Sequence, residues 1–176
     1  RVSQYYTTHT SLVNSDHVVA GAQDQGYQRA DQPPDPDVTF SFDQLISGDY
    51  AHMTSGDGNH GYLFCVYPGF VLVQRKENNP DLYFTAFPPN ESHPWLPFIK
   101  ADPYDREQFF FCAKQLYLHT HDGNYAWTPT VWSAQDFSGS GNEYLTALEF
   151  SPIDPERAYA VTNTGSLWYS NDHGIT

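Results

Sequence analysis

Lys100-Ala101-Asp102-Pro103-Tyr104-Asp105, set above Glu149-Phe150-Ser151-Pro152-Ile153-Asp154, brings a Pro-x-Asp turn onto itself at an offset of 49 residues. The residues that follow superpose too, Phe110 on Tyr159 and Cys112 on Val161. With one residue inserted the offset becomes 50, and Leu118-His119-Thr120-His121-Asp122 lies over Trp168-Tyr169-Ser170-Asn171-Asp172. Each unit reads strand, Pro-x-Asp turn, strand, short turn, strand, polar turn. An earlier unit is visible from Ser11 to Gly21, and a more degenerate one runs from Gly56-Asp57-Gly58 to Arg75.

Working outward, the rest of the chain reads the same way. Apolar runs are short, rich in aromatic and β-branched residues, and separated by Gly, Pro, Asn and Asp. Candidate strands are 17–21, 61–66, 70–74, 82–85, 109–113, 115–119, 145–150, 158–162 and 166–170. Phe109-Phe110-Phe111 and Leu167-Trp168-Tyr169 are apolar at consecutive positions, as in a sheet covered on both faces. A period near 50 residues with about four strands per unit is what a propeller blade requires. The fold class is therefore all-β, a partial β-propeller with approximate blades 1–50, 51–96, 97–144 and an incomplete 145–176. The stretch Ala30 to Asp37, ADQPPDPD, reads as a surface loop because strand-like residues resume at Val38.

Composition narrows the function. Of 176 residues 16% are charged and 16% aromatic, enough aromatic mass for a real core. Eight Lys and Arg against 21 Asp and Glu give a formal charge of −13, which argues against phosphate-driven nucleic-acid binding. No run approaches the roughly 18 apolar residues that span a bilayer. Cys65 and Cys112 lack metal-ligand spacing and read as buried thiols, with a disulfide open to them if their strands are neighbours.

Ser170-Asn171-Asp172-His173-Gly174-Ile175-Thr176 fits S-x-D-x-G-x-T, and Thr120 to Trp127 occupies the same frame with Asn124 for Gly and Ala126 for Thr. Such a turn needs Gly or Asn where φ is positive, an Asp carboxylate to accept backbone N–H groups, and an apolar base, here Trp127. The pattern resembles the Asp-box (BNR) repeat family of β-propellers, through Thr120, Asp122, Asn124, Trp127, Ser170, Asp172, Gly174 and Thr176. Gly21-Ala22-Gln23-Asp24-Gln25-Gly26, with Ser47-Gly48-Asp49 and Ser55-Gly56-Asp57-Gly58, further resembles segments of the secreted sortilin-like and xyloglucanase-like members. The resemblance implies an extracellular or cell-surface protein serving ligand recognition or scaffolding, or else a glycoside hydrolase acting on a polysaccharide. It identifies architecture, since the Asp-box is a structural turn.

A glycosidase needs two carboxylates about 5–10 Å apart. Asp24, Asp49 and Asp57 are the candidates, with turn capping as the alternative role of each. A sialidase-type arginine triad is not recognisable around Arg1, Arg29, Arg75, Arg106 or Arg157. His119 and His121, at i and i+2, share a strand face beside Asp122, but a third ligand would have to come from elsewhere, so no metal or other cofactor is expected and a solvated turn flank is the reading. Asn90-Glu91-Ser92 is the single N-x-S/T sequon. Trp95, Trp127, Trp132 and Trp168 serve either sugar stacking or packing between blades.

The aligned units predict a Trp and an outer strand after Thr176. About three and a half units are present where propellers close with 4–8 blades, so the expectation is a segment of a longer polypeptide. Its partners would be the remainder of that chain or subunits covering open blade faces, and a polysaccharide or protein ligand.

Overall fold

The computed structural model describes residues 3–32, 35, 37, 41–139 and 141–176. Val38 and, within the proline-rich stretch, Pro33, Pro34 and Pro36 lie outside them, as does Arg1. Fifteen strands and no helix occur among the described residues. The first sheet comprises β1 (Tyr5–Thr10), β2 (His17–Ala22), β3 (Gly26–Asp31) and β4 (Asp43–Ile46). The second holds β5 (Ala51–Thr54), β6 (Tyr62–Tyr67), β7 (Phe70–Arg75) and β8 (Asp81–Ala86). The third holds β9 (Ile99–Ala101), β10 (Phe109–Cys112), β11 (Leu116–His121) and β12 (Trp127–Val131), and the last β13 (Leu145–Ser151), β14 (Asp154–Thr162) and β15 (Leu167–Ser170). Every sheet is an antiparallel meander in chain order. The first strands stand side by side, β1 by β5, β5 by β9 and β9 by β13. This is an incomplete β-propeller, with each sheet facing the next.

The consecutive apolar runs of β6 and β10 follow from that arrangement, whereas Leu167-Trp168-Tyr169, expected to be covered on both faces, is exposed, because no sheet lies beyond the last one among the described residues. Along β10 the pleat sends Phe109 and Phe111 toward the second sheet and Phe110 and Cys112 toward the fourth, so all four are buried. Along β6, Phe64 and Val66 face the third sheet while Leu63 and Cys65 face the first. Each fully buried Phe contributes on the order of 2–3 kcal/mol through area removed from water. The two thiols sit in different seams and are free, so the pairing left open above does not form. Cys65 Sγ instead donates to the Ala51 carbonyl at 3.4 Å.

The 50-residue offset holds at the aspartates but not in the strand before them. β10 and β11 pair Phe109 with His119, whereas β14 and β15 pair Ala158 with Ser170. The cause is the hairpin, which turns from Cys112 to Leu116 in one sheet and from Val161 to Leu167 in the other. Trp168 thus takes the place of Tyr117 rather than Leu118, on the face toward the preceding sheet.

Candidate functional site

Two of the three candidate aspartates meet, through the backbone of one and the side chain of the other. The β2–β3 hairpin and the β4–β5 connection meet at one end of the first sheet, where Gln25 and Gly48 form a parallel bridge. The approach needs glycine: a Cβ on Gly26, whose φ is +81°, would lie 1.8 Å from the Ile46 carbonyl oxygen, and one on Gly48 would lie 2.4 Å from the Tyr67 ring. Asp24 sits at the hairpin tip with φ of 59°, and its backbone N–H donates to Asp49 Oδ1 at 2.9 Å. Around them, Gln44 and Gln28 both donate to the Gln25 carbonyl, at 2.8 and 3.0 Å, and the Tyr5 hydroxyl donates to Gln28 Oε1 at 2.9 Å. The result is an amide-rich shelf in which Asp49 closes a turn and the exposed Asp24 side chain has no hydrogen-bond partner among the described residues.

Asp57 is elsewhere. It lies between β5 and β6, at the end of the second sheet opposite to Asp49, where its Oδ1 accepts the Asn59 N–H at 3.1 Å and its Oδ2 meets Arg106 Nη1 at 3.5 Å. The three carboxylates are therefore not one site. Closeness of two Gly-rich strings in sequence says nothing about which end of a strand each occupies.

The aspartate turns of the last two sheets are built by hydrogen bonds. Asp172 Oδ1 accepts the Thr176 N–H at 3.0 Å and the Ser170 hydroxyl at 2.5 Å, and Oδ2 accepts the Thr176 hydroxyl at 2.5 Å. These donors, Ser170 foremost, hold the Asp172 carboxyl down to about 2. Ser170 Oγ also accepts the Gly174 N–H at 2.9 Å. In the preceding turn Asp122 Oδ1 accepts the N–H groups of Asn124 and Ala126, at 2.7 and 3.2 Å. Positive φ falls there on Gly123 and Tyr125 and not on Asn124, against expectation. Thr120 pairs with Thr128 in the ladder, while Trp127 is buried at the turn's base and its Nε1 donates to the Glu107 carbonyl at 2.6 Å.

The histidine reading needs correction. His119 is not a solvated flank: it is fully buried and stacked on Phe109 at 4.4 Å, and burial pushes its imidazole down to about 3. Neither of its ring nitrogens has a hydrogen-bond partner among the described residues. The register puts it opposite Phe109 on the face covered by the second sheet. His121 is tied by Nδ1 to Glu107 Oε2 at 3.1 Å, and its Nε2 accepts the Tyr125 N–H at 3.2 Å. Among the described residues no three His, Cys, Asp or Glu side chains are arranged to hold a metal.

Histidines that carry no sequence signal bridge the seams instead. His9 Nδ1 lies 3.2 Å from His60 Nε2 between the first and second sheets, and His17 Nδ1 lies 3.1 Å from Glu77 Oε1 nearby. His173 meets Asp102 between the third and fourth. The same seam opens into a cavity of about 250 Å³ lined by Leu116, Phe137, Leu145, Leu148, Ala160 and Trp168. Trp127 and Trp132 are packing residues, whereas Trp95 and Trp168 remain partly open to solvent.

No family model matches the chain, and no curated protein sequence does. Solved structures do. The GH74 enzyme of Niastella koreensis superposes with a TM-score of 0.62 at 16% identity over 98% of this chain, and the GH74 xyloglucanase of Xanthomonas campestris with 0.65 at 12% over 97%. YCF48 bound to a D1 peptide superposes with 0.52 at 12% over 98%. The chain spans about a quarter of the two GH74 structures, 23% and 28%, and 67% of YCF48.

Proposed function

We propose that this chain is part of a secreted or cell-surface Asp-box β-propeller that recognises or scaffolds a ligand, a glycan or a protein, rather than cleaving one. The observation that carries this reading is the use of Asp49 as a hydrogen-bond acceptor for the Asp24 amide, with Asp57 at the other end of its sheet. A hydrolase needs two opposed carboxylates across a sugar. The shelf offers one unengaged carboxylate beside amide donors and acceptors, a surface suited to binding. Asn90 supports the extracellular assignment, since the sequon asparagine is exposed in a turn. Exposed Tyr159, Leu167 and Tyr169 on the last sheet are apolar area for further chain or a partner to cover.

Polysaccharide hydrolysis is the second reading, favoured by the fold likeness to a xyloglucanase over almost the whole chain. A glycan and peptide array and a hydrolysis screen on the full-length protein separate the two. Binding without turnover supports recognition. Turnover abolished by Asp24→Asn and by Asp49→Asn establishes the enzyme, and no binding to any glycan or peptide overturns the recognition reading.

A further inference from the structure

At the end of the molecule opposite the Asp24 shelf, the seam between the second and third sheets holds a cation framed by aromatic rings. Arg75 ends β7 on the face that Val71 and Val73 turn toward the third sheet. Its guanidinium carbon lies 4.5 Å from the Tyr125 ring centre, 5.3 Å from that of Tyr62 and 6.0 Å from that of Tyr83. Tyr83 and Tyr125 are stacked, 5.0 Å apart and 6° from parallel, and about half of Tyr125 is exposed. Arg106 approaches Tyr62 as well, at 5.5 Å.

Charge pairing makes Arg75 unusual. Among the described residues Arg29, Arg106 and Arg157 each have a carboxylate within 4.0 Å, to Asp31, Asp57 and Asp154, and Arg75 has none. Its Nε is buried and without a hydrogen-bond acceptor. In a chain of formal charge −13, an arginine left without a carboxylate needs a reason. Rings hold a guanidinium in place and the Tyr62 hydroxyl bonds to it, but its Nε is left without an acceptor, and guanidinium donors match a carboxylate in fork geometry. Tyr125 presents a flat, partly solvent-exposed ring at the same place, carried on a turn that the Asp122 carboxylate and His121 pin.

We propose that Arg75 with Tyr125, Tyr83 and Tyr62 forms a binding site for an acidic saccharide, the sugar face stacking on Tyr125 and its carboxylate meeting the Arg75 guanidinium. The proposal rests on the recognition reading and adds to it the ligand class and a second surface. At physiological ionic strength the screening length is about 8 Å, so the molecule's remote negative charge does not prevent a contact pair from forming.

Isothermal titration of the full chain with tetragalacturonic acid, against a neutral galactose tetrasaccharide, tests it. The expected result is measurable binding of the acidic probe, at least tenfold tighter than the neutral one. Arg75→Lys should weaken it several-fold by removing the fork. Tyr125→Ala, at an exposed turn position, should weaken it about tenfold. Equal affinity for the two probes, or binding unchanged in both variants, overturns the site while leaving recognition at the Asp24 shelf standing. Tighter binding of a poly-glutamate peptide than of the acidic sugar, with the same dependence on Arg75, overturns the saccharide class. Absence of any glycan or peptide binding in the array above overturns the broader reading instead.

Discussion

His173 Nε2 lies 3.1 Å from Asp102 Oδ1 across the seam of the third and fourth sheets, and each residue is almost wholly buried. The imidazole is oriented from its other side by the Pro155 carbonyl, 2.9 Å from Nδ1, and is stacked on Phe150 at 4.7 Å. Burial alone would disfavour its charge, but Asp102 and Pro155 outweigh burial and raise its pKa. The neighbouring Tyr104 hydroxyl donates to Glu156 Oε1 at 2.8 Å over the same seam.

This pair makes the stability of the seam depend on pH in a defined sense. The folded imidazole holds its proton more tightly than an unfolded one, which titrates near pH 6.5. Its stabilising contribution is complete below that pH and is lost as pH rises through the higher folded value. Asp102→Asn should cost about 3 kcal/mol at pH 5.5, as the breaking of a buried pair does, and distinctly less at pH 8. Urea unfolding of both proteins at the two pH values measures the difference.

The first seam should respond in the opposite direction. His60 is pushed down to about 4, chiefly by burial and then by His9, and His9 is itself lowered by burial. His17, Glu77 and Asp57 complete the charged surroundings. A depressed folded pKa means stability that is present above about pH 6.5 and lost as pH falls toward 4. Amide exchange of β1 and β2 should accelerate between pH 6.5 and 4 beyond its intrinsic pH dependence, and His60→Asn should flatten that response.

Asp172→Ala should lower the melting temperature more than Asp122→Ala. Asp172 accepts side-chain hydroxyls from Ser170 and Thr176 besides a backbone amide, whereas Asp122 accepts backbone amides only. The carboxylate's contribution exists above its ordinary pKa and is lost as pH falls through about 2. Calorimetry of the two variants at pH 7 gives the ranking.

Phe110→Ala should be among the most damaging single changes. The ring is fully buried against Phe150, Trp132 and His173, so its loss opens a cavity between two sheets as well as exposing less apolar area on unfolding. A cost of about 3–5 kcal/mol is expected, read as a shift in the denaturant midpoint at unchanged slope.

The strands legible in the sequence are those announced by apolar runs, β2, β6, β7, β8, β10, β11, β13, β14 and β15. The short, mostly polar strands are not: Tyr5-Tyr6-Thr7-Thr8-His9-Thr10 and Asp43-Gln44-Leu45-Ile46 sit at sheet margins, with little apolar pattern to read. Turn chemistry is legible at Asp122 and Asp172 because Asx hydrogen bonds are local. The pairing of Asp24 with Asp49, the remoteness of Asp57, the burial of His119 and the aromatic frame of Arg75 all depend on register and on which sheet faces which. Those are contacts between residues far apart in the chain, for which one sequence contains no marker.

β15 ends the last meander with no partner strand on its outer side among the described residues, and Leu167 and Tyr169 are exposed there. Free amide and carbonyl groups in a row beside greasy side chains invite a neighbour's backbone to dock. The edge is therefore the place where a fourth strand, from further chain or from a partner, would complete this sheet in the way β4, β8 and β12 complete theirs.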